Sequence, residues 1–167
     1  MKYLIIGISA AGISAIESIR DIDKKSEIVA VTEEDYPHVY SRCLLSYYLA
    51  GDIPEEKIKY RDDNFFKEKN VEVIFGKKVE KIVPERKIVL LSTGETIQYD
   101  KLLIATGAKS KMEEIPGKDL FGVFGLRNVK DAKNILSIIP KCKEAVILGG
   151  GLIGLRAAYA LVKRGIK

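Results

Sequence analysis

Residues 2–6 form a nearly continuous apolar run that closes at Gly7, the pattern of a strand buried on both faces. From 11 to 20 the period changes to that of a helix, with Ile13, Ile16 and Ile19 on one face. A polar turn at 21–26 leads into a second apolar run at 27–32, which ends in Glu33-Glu34-Asp35. Strand, helix and strand make one βαβ unit of ordinary length. The middle of the chain is less regular. Residues 36–42 read as a loop, 44–50 as a short helix stopped by Gly51, and 64–69 as a helix leading into a strand at 71–75. Runs at 79–83, 87–91 and 95–99, separated by Pro84-Glu85-Arg86 and Ser92-Thr93-Gly94, predict an antiparallel meander. Residues 101–105 are another buried strand, closed by Thr106-Gly107. A polar connection at 108–120, containing Pro116 and Gly117, is a candidate domain boundary. Beyond it the pattern predicts a helix at 129–139, a strand at 145–148, a glycine turn and a helix at 152–164, the start of a second βαβ unit. The fold class is α/β: a Rossmann-like domain with a parallel sheet and an antiparallel meander, then the beginning of a second Rossmann-like unit.

Composition narrows the partners. The chain of 167 residues is 47% hydrophobic, which is enough for a core and argues against disorder. The net charge of +5 is spread along the chain rather than gathered in a basic arm. That points away from nucleic acid and suits a phosphate-bearing small molecule. No apolar run reaches the roughly 18 residues of a membrane span, and residue 1 leads straight into a strand, so neither a membrane segment nor a signal peptide is expected. Cys43 and Cys142 lie far apart and form no C-x-x-C, so a disulfide framework or metal site is not expected; a reducing, cytoplasmic setting is.

The chemistry lies in three turns. Gly7-Ile8-Ser9-Ala10-Ala11-Gly12 has G-x-G-x-x-G spacing with serine in the middle position. Such a turn lets the backbone approach a pyrophosphate and lets helix pack on strand, while the helix N-terminus supplies amide donors. Glu33, twenty-one residues after Gly12, stands where a carboxylate accepts hydrogen bonds from the hydroxyls of an adenosine ribose; Glu34 is the other candidate. Gly149-Gly150-Gly151-Leu152-Ile153-Gly154 repeats the fingerprint unmodified through Gly149, Gly151 and Gly154. Two such units suggest two nucleotides. Between them, Ala105-Thr106-Gly107 ends a strand with small residues that let a ligand pass close to the backbone.

Together these motifs resemble the FAD- and NAD(P)-dependent pyridine nucleotide-disulfide oxidoreductase superfamily, nearest the branch of nitrite reductase large subunits, rubredoxin reductases, NADH oxidases and coenzyme A-disulfide reductases. Tyr40-Ser41-Arg42-Cys43-Leu44-Leu45-Ser46-Tyr47-Tyr48-Leu49-Ala50-Gly51 is similar to that branch's segment after the ribose acid, and the likeness runs from Lys2 to Lys167. The resemblance implies FAD contacts at Gly7, Ser9, Ala10, Ala11, Gly12, Glu33, Arg42, Val79 (through its backbone), Ala105, Thr106 and Gly107. Arg127 matches an arginine of the family, and Gly149, Gly151 and Gly154 imply NAD(P)H binding. It implies an FAD-binding domain at 1–110, a connection and helix at 111–144, and the truncated start of an NAD(P)H-binding domain at 145–167. The implied reaction passes electrons from NAD(P)H through FAD to an acceptor that the resemblance does not name.

Cys43 has two readings. Coenzyme A-disulfide reductases and NADH oxidases carry a redox cysteine at the matching place, and a cysteine just before a helix favours its thiolate; the other reading is a packed thiol. Cys142 reads as structural, and His38, the only histidine, as a solvated or structural loop residue. Two features depart from the family. Arg156 stands where glutamate is usual, inverting the charge near the nicotinamide place. The family also continues well beyond this length, which implies a fragment, or a split protein completed by a partner chain or a second copy, with weak FAD retention and no turnover by itself. A non-catalytic nucleotide-binding subunit is therefore a further reading.

Overall fold

The computed structural model describes residues 1–111 and 114–167; residues 112 and 113 of the polar 108–120 connection lie outside it. The chain divides into two units, one of residues 1–40 and 60–107, the other of 41–59 and 108–167.

In the first unit, β1 (Lys2–Ile6) lies between β2 (Glu27–Val31) and β7 (Lys101–Ile104), with β3 (Val71–Ile74) outside β2. All these pairings are parallel. The period-two alternation of β1 sends its side chains to two cores. Ile5 packs with Ile28 and Ala30 against Ile13 and Ile16 of α1 (Ala10–Ile22), joined by Phe65 of the short helix α3 (Phe65–Glu68). Leu4 and Ile6 point to the opposite face and meet Val89 and Leu91. Those two belong to an antiparallel meander of β4 (Val79–Val83), β5 (Ile88–Leu91) and β6 (Thr96–Gln98). Helix, parallel sheet and meander are thus three layers. Burial on both faces is why β1 carries no polar alternation, and each of these side chains contributes about 1.5–3 kcal/mol.

One buried cation braces this unit. Arg20, in the last turn of α1, is 5% exposed. Its guanidinium donates to the carbonyls of Lys69 (2.5 Å), Asn70 (2.7 Å), Ser26 (2.7 Å) and Asp23 (3.1 Å). It both complements the C-terminal end of the helix dipole and ties α1 to the turn before β3.

In the second unit, α2 (Leu45–Ala50), α4 (Val129–Ile138) and α5 (Leu152–Lys163) share a small core of Leu49, Ala50 and Ala160, with Leu126, Ile135, Leu136 and Ile139 around it. Gly51 ends α2 in the left-handed region (φ 82°), where glycine is unstrained. Asn128 and Asp131 form a reciprocal capping box at the start of α4.

The expected strand at 145–148 is corrected: among the described residues it joins no ladder, and Val146 (85%) and Leu148 (69%) are exposed. Its only pairing of the parallel type is at Lys167, where Ala145 donates to the Lys167 carbonyl (2.8 Å) and Lys167 to the Lys143 carbonyl (3.0 Å). An apolar run becomes a strand only through a neighbour's hydrogen bonds, and one residue of neighbour does not make a ladder. The other predicted elements are present with ends shifted by at most two residues, but β7, expected to be buried, is largely exposed, with Leu103 at 38% and Ile104 at 59%. Among the described residues, no helix is long and apolar enough to cross a membrane.

Candidate functional site

The first glycine turn sits at the carboxyl end of β1. The chain passes from β1 through α1 to β2 on one side, and β7 later pairs on the other. The strand order therefore reverses between β1 and β7, and the crevice outside that point is where open α/β sheets bind ligands. Gly7 has φ 105°, and a Cβ there would overlap the Ala105 carbonyl oxygen and lie 3.3 Å from the Thr106 Cα. The Gly7 amide donates to Val31 (2.8 Å) and the Ala105 amide to Ile6 (2.8 Å). The structure thus brings the first fingerprint and the Ala105-Thr106-Gly107 turn together, and Gly107 is itself left-handed (φ 68°). At Gly12 a Cβ would overlap the Gly7 carbonyl oxygen and come 3.4 Å from Ile5 Cγ2, so this glycine sets how closely α1 packs on β1.

Ser9 is the N-cap of α1, with extended backbone (φ −83°, ψ −166°) and no side-chain cap hydrogen bond. The first turn holds no acidic residue, and Ala10 and Ala11 are exposed. Amides in a first turn have no partner within the helix, and they lie at the positive end of its dipole. This cradle suits a pyrophosphate in shape and in charge.

The two candidate ribose acids occupy different surroundings. Glu33 follows β2 by two residues and is exposed. Glu34 is half-buried, and its Oε2 accepts the Tyr40 hydroxyl at 2.5 Å. Val79 opens β4 opposite Leu91. Ser92 donates to the Lys78 carbonyl (2.8 Å), which makes Val79 and Leu91 a non-hydrogen-bonded pair. The backbone groups of Val79 therefore face away from β5, at the meander's edge, as a backbone contact to a ligand requires.

The second unit holds the remaining residues. Arg42 lies in a single 3-10 turn, Arg42–Leu44, and its Nη1 donates to the Arg127 carbonyl at 2.9 Å. The Arg127 side chain donates from Nε to Ala108 (3.0 Å), and its amide to Asp131 (2.8 Å). Two arginines that stand 85 apart in sequence are thus adjacent. Cys43 lies within that turn and is exposed, so the packed-thiol reading does not describe it; Cys142 is half-buried. Gly149 repeats the geometry of Gly7 (φ 106°), and a Cβ at Gly154 would overlap the Gly149 carbonyl oxygen as Gly12 does that of Gly7. Gly151 is the N-cap of α5 with extended backbone (φ −73°, ψ 174°), and a Cβ there would meet nothing within 4 Å. The two fingerprints share this local geometry, but a Cβ at Gly149 would meet nothing within 4 Å, whereas one at Gly7 would meet the Ala105 carbonyl.

Three further contacts were not legible in the sequence. Arg156 donates to the Tyr47 hydroxyl (2.7 Å) and stacks its guanidinium 4.7 Å from the Tyr47 ring, which gives the inverted charge a partner. His38 Nδ1 lies 2.7 Å from Asp63 Oδ1. Tyr40 reaches Glu34 as described above. Among the described residues, no group of three His, Cys, Asp or Glu could hold a metal ion.

Comparison with known proteins decides the family. The sequence profile of the pyridine nucleotide-disulphide oxidoreductases matches residues 1–167. The chain belongs to that family. It is 38% identical over 164 residues to the NADH-dependent phenylglyoxylate dehydrogenase subunit epsilon of Aromatoleum evansii, covering 98% of this chain and 39% of that relative. It is 34% identical over 166 residues to the NAD(P)H nitrite reductase of Bacillus subtilis, covering 99% of this chain and 20% of that one. Among solved structures, the NAD-dependent persulfide reductase from A. fulgidus superposes with TM-score 0.92 at 31% identity, over 99% of this chain and 33% of that chain. The chain therefore spans about a fifth to two fifths of the curated relatives quoted. Family membership accounts for the Rossmann-type parallel sheet, and for a meander placed between two glycine fingerprints.

Proposed function

We propose that this chain is the FAD-binding portion of an NAD(P)H-dependent flavoprotein oxidoreductase. The observation that carries this reading is the meeting of Gly7, Gly12 and Ala105 at the strand-order reversal, with an uncapped, acid-free helix start beside them. In this reading the amides of Ser9, Ala10, Ala11 and Gly12 hold the pyrophosphate, and Glu33 accepts the ribose hydroxyls. Val79 meets the adenine through its backbone, and Thr106 and Gly107 lie along the ligand; Arg42 and Arg127 are assigned to FAD by the family resemblance alone. FAD, when bound, supplies the hydride and electron chemistry. The chain's own work is to bind, orient and exclude water.

Residues 1–110 would be the first part of the FAD domain, 111–144 a connection, and 145–167 the start of the NAD(P)H domain, with Gly149, Gly151 and Gly154 on that nucleotide. A reducing, cytoplasmic setting suits two free cysteines. The exposure of Cys43 favours a second reading, a thiol that exchanges with an acceptor. The word "subunit" in the name of the A. evansii relative favours a chain working inside a larger assembly. Titration of FAD fluorescence with the purified chain tests the main reading. We expect saturation at one FAD per chain and weaker binding by Glu33→Gln; no quenching at millimolar FAD would refute it.

A further inference from the structure

Three consecutive acids, Glu33-Glu34-Asp35, end the segment after β2. Adjacent carboxylates repel one another and compete for the same donors, so a ribose-binding acid beside a second free one would be poorly directed. The structure separates their roles. Glu33 is exposed, whereas Glu34 turns inward and accepts the Tyr40 hydroxyl at 2.5 Å. Tyr40 is itself 9% exposed and is held edge-on by Tyr36, with ring centroids 5.5 Å apart and planes at 87°. The backbone of the same acid is also fixed: the Glu34 amide donates to Thr32 Oγ1 (3.2 Å), and its carbonyl accepts from Gly76 (3.1 Å).

We infer that Tyr40 is a positioning residue for the nucleotide site. It acts through Glu34, not on the ligand. By holding the Glu34 carboxylate inward, it leaves Glu33 as the one carboxylate of the pair presented to a ribose diol. A phenol donor suits this task, since it satisfies a carboxylate without adding a positive charge that would attract Glu33 as well. This inference rests on the FAD reading of the first turn.

FAD titration of the 167-residue chain tests it through four variants. Tyr40→Phe removes only the hydroxyl, and we expect FAD binding to weaken several-fold, because a Glu34 carboxylate no longer held by Tyr40 repels and competes with Glu33 at the ribose diol. Glu34→Gln keeps an acceptor for Tyr40, so FAD binding should fall by less than it does in Glu33→Gln. The double variant Tyr40→Phe/Glu34→Gln, which no longer carries a carboxylate at 34, should recover binding to within about twofold. A role in loop stability alone predicts no recovery. The inference is overturned if Tyr40→Phe binds FAD normally, if the double variant stays as weak as Tyr40→Phe, or if Glu34→Gln weakens binding more than Glu33→Gln. If Glu33→Gln has no effect, or the wild type binds no FAD, the underlying FAD reading fails first.

Discussion

Replacing Gly12 by alanine separates the structural work of the fingerprint from its ligand work. Gly12 is buried inside α1, so alanine would favour the helix by about 1 kcal/mol if nothing else changed. The new methyl, however, would overlap the Gly7 carbonyl oxygen and reach 3.0 Å from the Gly7 carbonyl carbon, and both are backbone atoms that cannot rotate away. Relief requires α1 to move off β1 by on the order of 1 Å, which forfeits a quarter to a half of the contact energy along the seam. Ile13 and Ile16 lie on that seam, each fully buried. Overpacking costs about 1–3 kcal/mol, and partial re-exposure of two isoleucines adds about 1–2 kcal/mol. Set against the helix gain, the net destabilisation is about 1–4 kcal/mol. Gly151→Ala is the control. Its φ is −73° and its Cβ would meet nothing within 4 Å, so stability should fall by no more than the roughly 1 kcal/mol that alanine costs at an N-cap. Urea unfolding followed by circular dichroism reads both. A Gly12→Ala protein as stable as the wild type, or a Gly151→Ala protein as damaged as Gly12→Ala, would refute the packing argument.

Two further substitutions test particular contacts. Arg20→Met leaves the carbonyls of Lys69, Asn70 and Ser26 without their donor, so stability should fall by about 3 kcal/mol, read as a lowered Tm; an unchanged Tm would show that the clamp is idle. The Ser26 hydroxyl, then the backbone amides of Ser26 and Lys25, hold the Asp23 carboxyl at about 2, below its ordinary 3.8. A depressed folded-state value means that this contribution is complete above pH 3.8 and is lost as pH falls towards 2. The Tm difference between wild type and Asp23→Asn should therefore shrink across that window, and a constant difference would contradict the assignment.

Much of the first unit could be read from the chain because its signals are local. The apolar run of β1, the isoleucine period of α1 and the spacing from Gly7 to Gly12 are each set by a few neighbouring residues and a regular period. The meander was legible from its two turn clusters. What escaped depends on distant partners. Arg20 looks like a surface residue on a helix until the carbonyls of Lys69 and Asn70 arrive some fifty residues later. Arg42 and Arg127 meet 85 positions apart in sequence, and the pairing of Glu34 with Tyr40, though only six positions apart, has no repeating pattern to announce it. Residues 145–148 mark the opposite failure: their apolar pattern is that of a strand, but the pattern cannot provide the neighbour that a ladder needs. Arg156 read as an unexplained inversion of charge, because Tyr47 lies 109 positions away.

The most direct test of FAD binding at the first turn is FAD titration of Ser9→Asp beside Gly151→Asp. Aspartate is a good N-cap, so either protein should fold at least as stably as the wild type. At Ser9 the new carboxylate would face the place assigned to the pyrophosphate, and FAD affinity should fall by more than about tenfold, while Gly151→Asp should leave it unchanged. A Ser9→Asp chain that binds FAD like the wild type, or a Gly151→Asp chain that loses it, would contradict the assignment of FAD to the first fingerprint.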